Sequence, residues 1–74
     1  MKEFVEQLTQ YSFKELCKWL RMNGYTFETD IVDVYTVGNE DDWFEIDIWF
    51  DDEYFVVMYY KFDGTFRHYE TNDF

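Results

Sequence analysis

Acidic side chains crowd one short stretch in the second half of the chain. Eight carboxylates fall within the fourteen residues from 40 to 53. On a β-strand, residues two apart lie on the same side, about 6.6 Å from each other, so Glu45 and Asp47 are expected to form a pair on one face. We interpret the set as an acidic surface for a positively charged partner, carried by Glu40, Asp41, Asp42, Glu45, Asp47, Asp51, Asp52 and Glu53.

Two tryptophans interleave with these acids. Trp43 and Trp49 follow the same alternation as Glu45 and Asp47, so all four are expected on one face of a strand. Tryptophan is enriched in interface hot spots, and exposed aromatic surface marks interaction sites. Trp43 and Trp49 are therefore predicted to anchor the partner. The alternatives are a face that packs on the N-terminal helix or on a second copy, and acids that serve solubility alone.

Patterns for catalysis or metal binding are weak. The sequence has no nucleophile motif and no glycine-rich phosphate loop, and acids in exposed turns lack the buried cleft that tunes an acid–base pair. We predict no enzymatic activity and no cofactor. The spacing of an EF-hand is absent, and Cys17 and His68 are the only soft metal ligands. A bound divalent cation such as zinc is the alternative; otherwise Cys17 belongs to the core and His68 to the surface.

Net charge is distributed unevenly along the chain. Residues 1–24 carry four basic and three acidic side chains, a balance of +1, whereas residues 25–74 carry two basic and fourteen acidic ones, a balance of −12. Solubility alone gives no reason for such segregation, and a potential of one sign attracts partners of the other. The split favours a basic partner and argues against direct binding of nucleic acid.

The first third of the chain is predicted to be helical, because apolar residues recur there at helical period, namely Phe13, Leu16, Cys17 and Leu20. Ser12, with Glu15 three residues later, fits a capping box. This favours a separate first helix over residues 2–10, and a single helix through Ser12 is the competing interpretation. Gly24 suits the position just after a helix, where glycine accepts the left-handed conformation.

From Tyr25 onward the apolar period changes to two, which is typical of strands. Strands are predicted over residues 31–37, 43–50, 54–62 and 65–70, and a start of the first strand at Tyr25 or Thr26 is the alternative. Turns are predicted at residues 38–42, at residues 51–53 and at Asp63-Gly64, a strong signal for a two-residue hairpin. The third strand is largely apolar on both faces and is therefore expected at the centre of the sheet.

These elements predict an α+β fold in a single domain over residues 1–74, helical over 1–24 and a β-meander over 25–74. One or two N-terminal helices are expected to pack on a three- to four-stranded antiparallel sheet. They would cover the face of the second strand that carries Phe44, Ile46, Ile48 and Phe50. Nineteen aromatic residues give this short chain the apolar area that its core needs.

The cysteine content and the hydropathy predict a cytoplasmic protein, or one in the host cytoplasm if a phage encodes it. A single cysteine without an internal partner is typical of a reducing compartment. No apolar leader follows the N-terminus. The longest uncharged apolar run, residues 54–60, is far shorter than the roughly 20 residues of a membrane span.

In size, acidity and aromatic richness the whole chain resembles the small inhibitors that phages and mobile elements direct against host defence, and most of all anti-CRISPR proteins. The resemblance rests on composition and charge layout, and no motif carries family residues over to this chain. It implies a compact α+β protein that binds a Cas effector and blocks nucleic-acid loading without catalysis. Effectors of the Cas9 type hold the guide–target duplex in a positively charged channel.

The sequence thus predicts a stoichiometric inhibitor that binds a basic, nucleic-acid-contacting surface of a host defence protein, as a monomer or weak homodimer and without a membrane. The alternative is a non-enzymatic adaptor or structural protein that associates with itself through its aromatic sheet face. The sequence leaves open whether the acids imitate nucleic acid or only match a basic patch.

Overall fold

The computed structural model describes the backbone of residues 2–36 and 39–72, and the side chains of residues 3–32 and 42–72. Two helices precede four strands: α1 (Lys2–Leu8), α2 (Phe13–Met22), β1 (Thr26–Thr36), β2 (Asn39–Trp49), β3 (Phe55–Lys61) and β4 (Phe66–Thr71). The strands form one antiparallel sheet in the order β1-β2-β3-β4. The predicted α+β arrangement, with N-terminal helices and a meander sheet, is confirmed.

The break between the two helices is capped as predicted. The Ser12 hydroxyl accepts a hydrogen bond from the Glu15 N–H, and the Glu15 carboxylate accepts one from the Ser12 N–H. The N–H of Phe13 donates to the carbonyl of Gly64 in the β3–β4 turn, at 3.0 Å. This bond ties the start of α2 to the sheet. At the other end of α2, Gly24 has a φ of +72°, as expected for the residue after a helix.

The core lies between the helices and one face of the sheet. Its most buried side chains alternate along β2 and β3 and recur at helical period in α1 and α2, so both predicted periodicities are confirmed. They are Val5, Leu8, Leu16, Cys17, Leu20, Ile46, Ile48, Val56, Met58 and Tyr60. Burial raises the pKa of the Cys17 thiol, so this cysteine behaves as a core residue. Half-buried rings, among them Phe44 and Phe50, pack around this cluster.

The connection between β1 and β2 differs from the prediction. The ladder continues until Thr36 pairs with Asn39, so the predicted turn at residues 38–42 is wrong and residues 39–42 extend β2. Backbone pairing with β1 outweighs the low strand propensity of Asn and Asp. β1 begins at Thr26 rather than at residue 31, which confirms the alternative of a longer first strand. Val37 and Gly38 lie outside the described residues.

The β3–β4 hairpin also differs from the prediction. The N–H of Lys61 donates to the carbonyl of Thr65 at 2.9 Å, and the N–H of Gly64 donates to the carbonyl of Lys61 at 2.8 Å. The loop therefore contains the three residues 62–64 rather than Asp63 and Gly64 alone. Gly64, with a φ of +91°, takes the left-handed position that ends such a loop.

Candidate acidic interface

The sheet face that points away from the helices is here called the outer face. Ile46 and Ile48 of β2 are buried against the helices, so alternation along the strand places Trp43, Glu45, Asp47 and Trp49 on the outer face. Glu45 and Asp47 are half-buried, and so is Trp43. Trp49 is 40% exposed. The interpretation that packs these residues against the N-terminal helix is wrong, because the helices lie on the opposite face.

Two strands bring further carboxylates to the outer face beside Glu45 and Asp47. In the β1–β2 ladder Glu28 is directly opposite Asp47, and Asp30 is directly opposite Glu45. In the β3–β4 ladder Glu70 pairs with Val57, whose other neighbour is Asp47. We call these five carboxylates the acidic patch. Like charges directly opposite each other destabilise a sheet, so the fold holds the patch at a cost.

Glu45 responds most strongly to this crowding. A side-chain hydrogen bond with Asp47, followed by loss of hydration and by the negative charges of Asp47, Asp30 and Glu70, raises its pKa to about 7. A protonated Glu45 donates to the Asp47 carboxylate. The Asp47 Oδ1 atom is buried, and no hydrogen-bond donor from the described part of the chain reaches it. The crowding of carboxylates thus favours the protonated form of Glu45, whereas a nearby cation would favour the charged form.

Aromatic rings and a guanidinium pack together at one end of the acidic patch, here called the Trp43 end. The rings of Trp43 and Tyr59 have centroids 6.2 Å apart, and Tyr59 stacks on His68 at 6.0 Å. The Cζ atom of Arg67 lies 5.7 Å from the Trp43 ring centroid. Lys61 pairs with Trp43 in the β2–β3 ladder. Both basic residues of the second half of the chain thus belong to this end.

A β-bulge places Arg67 at the Trp43 end. Tyr59 pairs with His68 and Tyr60 pairs with Phe66, so Arg67 is the extra residue of β4. Phe66 packs on Tyr60 in the core, whereas His68 lies on the outer face. A bulge redirects a side chain relative to regular alternation, and here it lets Arg67 reach the ring of Trp43.

The opposite end of the acidic patch, here called the Trp49 end, is open. Trp49 pairs with Phe55 across β2 and β3, and these side chains are 40% and 41% exposed. The loop that follows Trp49 carries the predicted residues Asp51, Asp52 and Glu53, all exposed. Asp51 has a structural role there, because its Oδ1 accepts hydrogen bonds from the N–H groups of Glu53 and Tyr54, both at 2.7 Å.

Of the remaining predicted acids, Asp42 lies apart from the acidic patch. Asp42 is exposed, and alternation along β2 puts it on the side of Phe44, opposite to Glu45. The backbones of Glu40 and Asp41 pair with β1, but their side chains lie outside the described residues. The structure therefore joins Glu45 and Asp47 to Glu28, Asp30 and Glu70, which sequence analysis missed. These three residues can be located only when the register of the strands is known. The incorrect prediction of a turn at residues 38–42 gave a wrong register for β1 and β2.

The soft metal ligands are separate from each other. Cys17 is buried in the core, whereas His68 is exposed on the outer face with its Nε2 atom 3.6 Å from Glu70 Oε1. Among the described residues, no group of three or more His, Cys, Asp and Glu side chains is arranged to hold a metal ion. Over the same residues, neither helix is long and apolar enough to cross a membrane.

Comparison of the chain with protein-family models, with curated proteins and with solved structures finds no match.

Proposed function

We propose that this chain is a stoichiometric, non-enzymatic inhibitor that binds a basic, nucleic-acid-contacting surface of a host defence protein, such as a Cas effector, and blocks the loading of nucleic acid there. The acidic patch carries the proposal. Its facing carboxylates, Glu28 with Asp47 and Asp30 with Glu45, repel each other in the free protein. A cationic partner is attracted by these carboxylates and offsets their mutual repulsion. The patch is therefore most stable when the partner is bound.

The surroundings of the patch supply the other elements of an interface. The negative potential of the acidic patch accelerates the encounter with a positive surface. Trp43 and Trp49 flank the acids and offer aromatic area of the kind that dominates interface hot spots. The helical layer has a near-neutral sequence, with a balance of +1 over residues 1–24, so the sheet rather than the helices would attract the partner.

A competition assay with purified Cas effectors tests the proposal. The chain, added in equimolar amount, is expected to prevent a guide-free Cas9 from loading guide RNA, or a guide-loaded one from capturing target DNA. The double variant Glu45→Gln/Asp47→Asn should lose most of this effect. Its matched control is Glu3→Gln/Glu6→Gln, which also replaces two carboxylates, but at exposed positions of α1. This control should inhibit as the wild type does.

The assay also separates this proposal from the adaptor alternative. Binding that weakens at least tenfold between about 50 mM and about 200 mM salt fits a surface that replaces phosphate contacts. Equal inhibition by the two double variants would overturn the role of the acidic patch. If no effector binds, light scattering shows a tight dimer and iodide fails to quench the fluorescence of the tryptophans, the chain associates with itself through its sheet instead.

A further inference from the structure

The outer face contains an internal example of how it binds a cation. At the Trp43 end, the guanidinium of Arg67 lies over the indole of Trp43, with its Cζ atom 5.7 Å from the ring centroid. Glu45, two residues along β2, contributes negative charge on the same face. The β-bulge in β4 directs Arg67 to this position. A guanidinium over an indole, on a face that also carries carboxylates, is therefore an arrangement that this surface already stabilises.

The Trp49 end repeats the same components without the cation. Trp49 is two residues from Asp47 on β2, and Glu28 faces Asp47 from β1. Among the described side chains of the outer face, the lysine and the arginine, Lys61 and Arg67, both belong to the Trp43 end. The Trp49 indole is 40% exposed, and its cross-strand neighbour Phe55 is 41% exposed. An exposed aromatic surface thus lies beside a carboxylate pair of which Glu28 is exposed and Asp47 is half-buried.

We propose that the Trp49 end binds an arginine side chain of the basic partner, with the guanidinium over the indole of Trp49 and its N–H groups directed at the carboxylates of Asp47 and Glu28. This inference rests on the proposed function, because it names the anchor of the same interface. The arrangement repeats, with a residue from another molecule, the contact that Arg67 makes within the chain.

Arginine fits this site better than lysine for two physical reasons. Its planar guanidinium stacks on an aromatic face while its five N–H groups stay free to bind carboxylates at the edge. The lysine ammonium is a compact and strongly hydrated charge, so contact with the ring costs it more hydration. Asp47 and Glu28 accept from either cation, and the selectivity therefore comes from Trp49.

Short acetylated peptides test the inference without knowledge of the natural partner. One alternates glycine with arginine, a second replaces arginine by lysine, and a third replaces it by citrulline, the uncharged isostere. Binding is followed at about 50 mM salt, where surface charges are weakly screened, through the indole N–H signals of ¹⁵N-labelled protein. The arginine peptide should shift the Trp49 signal and leave that of Trp19, which packs against Phe4 and Tyr25 away from the outer face, in place.

A pair of variants isolates the aromatic contribution. Trp49→Leu keeps the side chain apolar but removes the ring, and it should weaken binding of the arginine peptide about 2- to 5-fold, the value of one exposed cation–π contact. Trp49→Phe keeps a ring and should retain most of the affinity. The lysine peptide should bind more weakly than the arginine peptide, and Trp49→Leu should weaken its binding less. The citrulline peptide should not bind.

The outcomes distinguish this inference from the proposed function. If the arginine and lysine peptides bind equally well and the Trp49 signal does not move, the arginine site is wrong while the acidic interface stands. If neither cationic peptide binds at low salt, the outer face does not attract basic segments, and both proposals fall.

Discussion

At the scale of single residues, Glu45 shows most clearly how neighbours define the acidic patch. Its carboxyl group lies beside Asp47 on one strand and opposite Asp30 on the next. The hydrogen bond with Asp47, the loss of hydration and the surrounding charges raise its pKa from 4.5 to about 7. The folded protein thus keeps a proton that the unfolded chain releases at lower pH. The contribution of Glu45 to stability therefore falls as the pH rises from about 4.5 through about 7.

Glu45→Gln is expected to remove this pH dependence. The glutamine amide donates to Asp47 at every pH and carries no charge, so the variant should gain stability over the wild type as the pH rises from 5 to 8. The gain should be on the order of 1 kcal/mol, reduced by solvent screening at a half-buried site. Urea unfolding of both proteins across this pH range measures it. Parallel stability curves would show that Glu45 titrates in its ordinary range.

At the scale of secondary structure, alternation within a strand could be predicted and pairing between strands could not. The sequence correctly predicts that Trp43, Glu45, Asp47 and Trp49 share a face, because apolar residues at every second position of β2 require burial. It does not predict Asp30 opposite Glu45. The predicted turn at residues 38–42 is centred on residue 40, and a hairpin about that residue would put Tyr35 opposite Glu45.

The start of α2 could likewise be predicted from the sequence, whereas the hairpin turns could not. Local signals fix the start of α2, because the capping box of Ser12 and Glu15 lies within four residues of chain. The β3–β4 loop contains three residues, one more than the two-residue hairpin that the Asp63-Gly64 signal predicts. Arg67 reaches the outer face through a bulge, which no sequence period encodes. Thus the fold class follows from the sequence, whereas the composition of the acidic patch requires the register of all four strands.

Gly64 is the turn residue on which the register of β4 depends. It adopts a φ of +91°, which L-residues with a side chain rarely adopt, and an added Cβ would meet only Ser12 Cβ at 3.9 Å. Gly64→Ala should therefore destabilise the protein through backbone strain alone, by about 1–2 kcal/mol. Urea unfolding tests this, with Gly64→Asn as a milder control because asparagine tolerates the left-handed region. Unchanged stability of Gly64→Ala would contradict the three-residue loop.

At the scale of the whole molecule, charge and aromatic area are divided between two layers. The helical layer buries its apolar stripe and carries most of the basic residues. The sheet carries the acids and leaves one face away from the helices. The described chain measures 37 × 26 × 19 Å. A molecule built in this way can present its negative face to a basic partner while the helices complete the core on the other side.

The most direct test of this account is to map which face the partner covers. Backbone amide signals of ¹⁵N-labelled, deuterated protein are recorded with and without guide-free Cas9, and saturation is transferred from the partner's protons. We predict that the amides of β2 and β3 around Glu45, Asp47 and Tyr59 lose intensity, while those of α1 and α2 keep theirs. Intensity losses concentrated on the helices, with the strands unaffected, would contradict the claim that the acidic outer face is the binding surface.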